Sequence, residues 1–422
     1  MAMGTATASF IAATCSLAAA AAPVTAVYSL VRKEKPAVVE TLGQLVGIES
    51  GSRDGEGLDR IAGVLQDRLA ALGGKVEVVE AGADAVKLFD TPPRTGKTVI
   101  ARFEGTGTRK IMLLAHMDTV YPRGTLAKRP FRVEGNRAYG PGVADEKGGV
   151  AVVLHTLAVL KDLGFREYGT LTVLINGDEE LSTPGARNLI TRLASQHDVA
   201  FSCEPSPAPR DEIALATSGI AAATLTVRGR PAHAGVNPED GRNALLELAH
   251  QLLETRDLGD ASRGIKFNWT IATAGTTRNV IPDTATASAD VRVRRVADFD
   301  AVEQAFRAAL AKGHLVADTQ VEAAFERRRP PLEATDRSRA LAKRAQAIYA
   351  ELGRQLGIDE SSKGAGTDAA FAALSGKSVV LENLGLMGFG YHSPAAEYVE
   401  LDSIEPRLYL LTRLIMESSR ER

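Results

Sequence analysis

Residues 173–182 read VLINGDEELS. An apolar run ends in three adjacent acids, Asp178, Glu179 and Glu180. Carboxylates crowded beside a core are costly unless something compensates them. The stretch alone leaves two readings open. The acids could form a solvated turn that starts a helix over DEELSTPGARNLI, since acids favour a helix N-terminus. Alternatively, a positive group compensates them at the end of a buried strand.

The surroundings favour a strand end. KVEVVE and TVIARFEG alternate as strands, and KIMLLAHMDTV, GTLTVLINGDEE and HDVAFSCEPS read as buried strands running into polar residues. Helical spacing appears in KPAVVETLGQLVGIES, GLDRIAGVLQDRLAALGG and GGVAVVLHTLAVLKDLG. Strands alternating with helices predict an α/β sheet sandwiched by helices. In such sheets ligands gather at the carboxyl ends of the strands, where His116, Glu179, Glu180 and Glu204 fall. From about Ser218 the rhythm changes to β-α-β-β-α-β, starting with the long alternating run IAAATLTVRGRPAHAG. That order predicts an inserted ferredoxin-like α+β unit. The expected division is a catalytic domain over residues 23–216, the insert over 217–330, and the rest of the catalytic domain over 331–422.

The 422 residues, 45% of them hydrophobic, suffice for two domains. A formal net charge of −2, from 50 basic and 52 acidic residues, argues against nucleic-acid binding driven by bulk charge. Residues 1–22 are apolar, Ala-rich and too short for a comfortable membrane span. They read as a signal peptide without a positive n-region, so a secreted or periplasmic location is expected; a disordered Ala-rich tail is the plain alternative. Loss of Cys15 with that segment would leave Cys203 alone, which excludes an intrachain disulfide and thiolate metal clusters. Any metal must then be held by His, Asp and Glu.

His116 and Asp118 lie two apart at a strand end and face the same way. Asp118 could take the second ring N–H of a metal-bound His116 and set its tautomer; a surface His–Asp pair is the plain reading. Asp145, before EKGGVAVV, could be a helix N-cap. Glu204 and His392 could each be lone polar residues at element ends. Taken together, His116, Asp145, Glu180, Glu204 and His392 all fall on the sheet's ligand side. Two histidines and three acids suit two divalent ions that share Asp145 and acidify a water. Glu180 and Glu179 are adjacent and point apart, which leaves Glu179 to act as general base and then acid.

HMDTV, YGPGVADEKGG, NGDEE, CEP, RPAHAG, GTDAA and YHSPAAEY resemble, in this order, the motifs of the M20 metallopeptidases. The resemblance runs through nearly all the chain after residue 22 and is strongest to glutamate carboxypeptidases of the G type. It implies a zinc-exopeptidase-like catalytic domain and a lid/dimerisation insert, hence a homodimer. It implies two Zn2+ per subunit, with Co2+ or Mn2+ as substitutes: one on His116, Asp145 and Glu204, the other on Asp145, Glu180 and His392. It also implies that Glu179 is the base, that Asp118 orients His116, and that a cis peptide follows Asp145. By the same resemblance His233 reaches an active site, often the partner's, and helps hold the oxyanion. The substrate would be a small molecule or short peptide with a free C-terminal carboxylate, bound by Asn279 and Arg292. Gly366 and Thr367 could add backbone donors, and Arg329 is a candidate for the substrate's side-chain carboxylate. The sequence departs from the glutamate-releasing pattern at Glu212, where a lysine can occur, and at Ala365, where glycine is common. An aminoacylase or dipeptidase is therefore the nearest rival reading, and a non-catalytic binding protein the remote one.

Overall fold

The computed structural model describes residues 22–421. The signal-peptide reading of 1–22 thus falls on residues outside those described, apart from Ala22. Among the described residues, no helix is long and apolar enough to cross a membrane.

Lys110–His116 and Thr170–Asn176 each bury six consecutive residues, which only a strand covered on both faces requires. They lie in a six-stranded sheet ordered Lys75–Val79, Thr98–Glu104, Thr170–Asn176, Lys110–His116, Val199–Ser202, Val379–Leu381. The last four strands are parallel. Side chains alternate between two cores. Ile111, Leu113 and Ala115 meet the helices Thr25–Val46, Lys147–Asp162 and Ile404–Arg420, while Met112 and Leu114 join Ile190 and Phe371 on the opposite face. Parallel register sets His116 level with Asn176. The chain therefore leaves both strands at one edge.

The first helix differs from the expectation. It starts at Thr25 and runs through Pro36 rather than starting near it. An interior proline costs about 3 kcal/mol. Here Val27, Val31, Val38, Leu42 and Leu45 form one continuous buried stripe, and that burial outweighs the missing hydrogen bond.

The β-α-β-β-α-β unit is present. Its antiparallel sheet is ordered Lys266–Ala274, Thr284–Val293, Gly219–Arg228, Gln320–Arg329, with helices Ala244–Glu254 and Val296–Leu310. The helices cover one face, packing on Ala221, Ala223, Leu225 and Val291. The first strand stops at Arg228, so RPAHAG is a loop and not the strand's continuation.

A five-stranded sheet was not legible in the sequence. Its strands are Arg132–Glu134, Arg137–Tyr139, Tyr398–Glu400, Met387–Phe389 and Ser206–Pro207, in that order. Each is two or three residues long, too short for a periodic signal. It ties together the segments that lead to Asp145, follow Glu204 and precede His392.

His155 and His197, expected to be structural or surface residues, are buried and bonded. His197 contacts Leu193 O at 2.7 Å and Thr172 Oγ1 at 2.8 Å; His155 sits between Glu34 at 2.6 Å and Thr41 at 2.8 Å. Burial holds both rings below the ordinary imidazole value, in His155 against the pull of Glu34. The unfolded chain then takes up protons that the fold refuses. Stability is complete above about pH 6.5 and is lost as the pH falls below it. These two rings should therefore pull the urea midpoint down between about pH 7.5 and about pH 5.5, and His197→Gln should lessen that pull relative to wild type. An equal drop in the variant would contradict this assignment.

Candidate active site

His116 closes its strand with 1% of its surface exposed, and Asp118 has none exposed, which removes the surface-pair reading. The His116 Nδ1 lies 3.3 Å from Asp118 Oδ1 and 3.1 Å from the Asp118 carbonyl. Asp118 also accepts from the backbone N–H groups of Glu179 (3.1 Å) and Glu180 (3.2 Å) and from Ser52 Oγ (2.8 Å). One carboxylate thus fixes the histidine ring and the acidic turn together.

That turn is not the start of a helix. Asp178 caps nothing, Glu179–Leu181 is a single tight turn, and the helix begins only at Arg187. Asp178 and Glu179 are buried, so the solvated reading fails as well.

Asp145 is not an N-cap. Glu146 occupies that place without capping, and the Asp145–Glu146 peptide is cis. The Asp145 side chain looks into the site. Its Oδ1 lies 3.0 Å from His116 Nε2 and its Oδ2 lies 3.3 Å from His392 Nε2. Glu204 Oε1 is 3.5 Å from His116 Nε2, and Glu180 Oε2 is 3.3 Å from His392 Nε2. Two donor groups result, His116–Glu179–Glu204 and Asp145–Glu180–His392, each with its donor atoms within 4.8 Å of one another. Glu179 is therefore nearer the first group than the sequence implied.

These donors fit divalent cations. Burial raises Glu204, with Glu146 and Asp145 adding to it, and pushes Glu180 up to about 7. Asp145 and Glu180 hold His392 up at about 10. The buried Glu180 Oε1 has no hydrogen-bond partner. A cation among these groups would stabilise the ionised acids and use the vacant lone pairs, and imidazole with carboxylate suits Zn2+, Mn2+ or Co2+.

Several supporting residues escaped the sequence reading although they lie within its motifs. Glu397, in YHSPAAEY, accepts from the N–H groups of Gly142 (3.0 Å), Ala144 (2.9 Å) and Asp145 (3.1 Å) and from Tyr121 Oη (2.5 Å). Glu146 accepts from the His116 N–H at 3.0 Å. Asp368, in GTDAA, bonds Arg329 at 2.6 Å.

Arg329 is 3% exposed, and its guanidinium lies 2.8 Å from Glu179 Oε1 and donates to the Glu179 carbonyl at 2.9 Å. With Asp368 on its other arm, it pairs with the protein's own acids while also lining the cavity. Burial raises Glu179 well above the ordinary carboxylate range, and Arg329 opposes that rise.

A cavity of about 710 Å3 separates the site from the helix-free face of the lid sheet. Arg292, Gly366 and Thr367 line it. Asp290 takes Arg292 Nε and Nη2, each at 2.8 Å, and Gly364 O takes Nη1 at 3.1 Å. One N–H remains on each terminal nitrogen, an end-on fork. His233 and Asn279 do not line this cavity. They sit together on the lid, where Ala234 N–H donates to Asn279 O at 2.9 Å. His233 is exposed, and its Nδ1 accepts from the N–H groups of Gly235 and Val236, both at 3.1 Å, which leaves Nε2 as the donor. Glu212 is buried beneath Lys363 and also lies off the cavity, whereas Ala365 lines it.

The profile of peptidase family M20/M25/M40 matches residues 112–417. The chain belongs to peptidase family M20. M20 enzymes are metal-dependent hydrolases of peptide and amide bonds, and each of the two donor groups could hold a metal ion. Carboxypeptidase G2 of Pseudomonas sp. (strain RS-16) is 45% identical over 384 residues, covering 91% of this chain and 90% of that protein. A succinyl-diaminopimelate desuccinylase of Gluconobacter oxydans is 29% identical over 322 residues, 72% of this chain and 81% of its own length. Two solved M20-like structures share the fold. The aminopeptidase PepT of Bacillus cereus has a TM-score of 0.73 at 22% identity, covering 92% of this chain and 99% of its own. The metallo-carboxypeptidase Sso-CP2 of Sulfolobus solfataricus has 0.69 at 16%, covering 90% and 99%.

Two outcomes follow for this M20 chain. Zinc at a thousandfold excess over its Kd should stabilise the metal-free protein by ~4 kcal/mol in thermal unfolding, and Asp145→Asn should lose most of that gain. Arg329→Met leaves Glu179 and Asp368 buried without their cation and should cost about 3–5 kcal/mol in urea unfolding. A neutral result for Arg329→Met would remove the network from the account.

Proposed function

We propose that this M20 chain is a carboxypeptidase that hydrolyses the amide bond before a C-terminal amino acid, glutamate in preference, at a site for two divalent ions. The observation that carries the reading is Asp145, whose two oxygens face His116 and His392 separately. One ion would be held by His116, Asp145 and Glu204, the other by Asp145, Glu180 and His392. Zinc is the first choice, with cobalt or manganese as substitutes. Bound there, the ions supply Lewis-acid polarisation of the scissile carbonyl and acidify a water.

The protein's own groups do the rest. Glu179 accepts the proton of the attacking water at its carboxylate and returns it to the leaving amine nitrogen. Asp118 keeps the His116 ring in one orientation, with Nε2 turned to the site. The end-on fork of Arg292 suits the substrate's terminal carboxylate, and the backbone around Gly366 and Thr367 supplies further donors. The similarity to carboxypeptidase G2 supports glutamate as the released residue.

His233 and Asn279 enter the reading through a homodimer paired by the lid, in which each would face the other subunit's cavity. The exposed Leu245, Leu246 and Leu253 of one lid helix and the open edge strand Lys266–Ala274 support such a pairing. Export to a secreted or periplasmic location belongs to the same proposal, resting on the Ala-rich residues 1–22; N-terminal sequencing of the exported protein tests it.

The functional test is glutamate release from p-aminobenzoyl-glutamate by the zinc-loaded protein, beside N-acetyl amino acids and dipeptides. Release should stop with a chelator. Glu179→Gln should lower kcat by about 10²–10⁴-fold in a variant that is still folded by circular dichroism. Turnover confined to acetylated substrates or dipeptides would overturn the carboxypeptidase specificity, and unchanged kcat in Glu179→Gln would overturn the base.

A further inference from the structure

Phe89 stands on the loop between Lys75–Val79 and Thr98–Glu104, outside every motif of the site. It lines the cavity that holds Asp145 and Glu179, with 62% of its surface exposed. An exposed phenyl ring on a free loop would fold back onto apolar surface. Here the loop is clamped on both sides of the ring. Leu88 is buried, and its N–H donates to Thr91 Oγ1 at 2.9 Å. The Phe89 N–H donates to Glu326 of the lid at 2.8 Å. Asp90 receives Arg328 on both oxygens, at 2.9 Å and 3.1 Å, and its carbonyl accepts from Arg53 at 2.9 Å.

The same Arg328 faces the ring. Its guanidinium carbon lies 5.1 Å from the Phe89 centroid, a cation–π contact on the ring. Arg328 Nε also reaches Ser182 Oγ at 3.4 Å, at the end of the turn that carries Glu179 and Glu180. The ring is therefore carried on a clamped backbone, faced by a guanidinium, and one guanidinium away from the acidic turn. An aromatic surface on a clamped backbone binds another π system with less ordering cost. The cavity, about 710 Å3, falls within the roughly 300–1,000 Å3 that accommodates drug-sized ligands. It has room for an acyl group as well as an amino acid.

We propose that Phe89, faced by Arg328, is a specificity-determining residue whose ring stacks on a flat acyl group of the substrate. This rests on the carboxypeptidase reading above. The experiment measures kcat/KM of the zinc-loaded protein for p-aminobenzoyl-glutamate and for N-acetyl-glutamate. In wild type the aromatic substrate is preferred. Phe89→Ala lowers the ratio of the two values by about tenfold, and Phe89→Tyr restores it. A ratio that stays within about twofold of wild type in Phe89→Ala, with both substrates turned over, overturns the stacking role alone. Failure of the wild-type protein to release glutamate from either substrate overturns the carboxypeptidase reading and the stacking role with it.

Discussion

The site is organised around one half-buried carboxylate that faces two histidines. Asp145 stands between His116 and His392, and those residues come from segments far apart in the chain. The supports converge on it. Glu397 holds the backbone of Gly142, Ala144 and Asp145, Asp118 holds His116, and the short five-stranded sheet brings the His392 turn alongside. His392 itself keeps a left-handed backbone, φ 61°, which costs a residue with a β-carbon ~1–2 kcal/mol. Packing and hydrogen bonds elsewhere sustain that cost.

Parallel strand register turns this local arrangement into a site with a wall and a roof. The strands that end at His116, Asn176 and Ser202 deliver their following residues to one edge. The lid sheet covers that edge with its helix-free face, and the cavity lies between. Lid and core are linked by charge. Arg329, the last residue of the lid sheet, bonds Glu179, and Arg292 reaches across to Gly364. The position of the proposed base therefore depends on where the lid lies. A displacement of the lid sheet would withdraw the cation that opposes protonation of Glu179.

Much of this was legible in the sequence, for physical reasons. Continuous apolar runs such as KIMLLAH and TLTVLIN have only one use, a strand buried on both faces, so the sheet and its ligand edge followed from them. The lid followed from period-two alternation in IAAATLTVR. His116, Asp145, Glu180, Glu204 and His392 were identified as a set because each ends an element on that edge, and the structure brings them together. Interactions set by tertiary approach left no such signal. Nothing local shows that Glu179 and Asp368 would surround Arg329. His233 and Asn279, expected to serve an active site that is often the partner's, sit on the lid away from their own chain's cavity. Phe89 lies in a loop without periodicity, and only the fold places it beside Arg328. Helical spacing was read from Lys35 onward, but the buried apolar stripe extends back to Val27.

The account turns on two cation sites sharing Asp145. Anomalous diffraction from crystals of the zinc-loaded protein tests that most directly. The account predicts two peaks flanking the Asp145 carboxylate, one against His116 and Glu204 and the other against Glu180 and His392. A single peak, or a pair that leaves Asp145 out of the coordination of either ion, would contradict it.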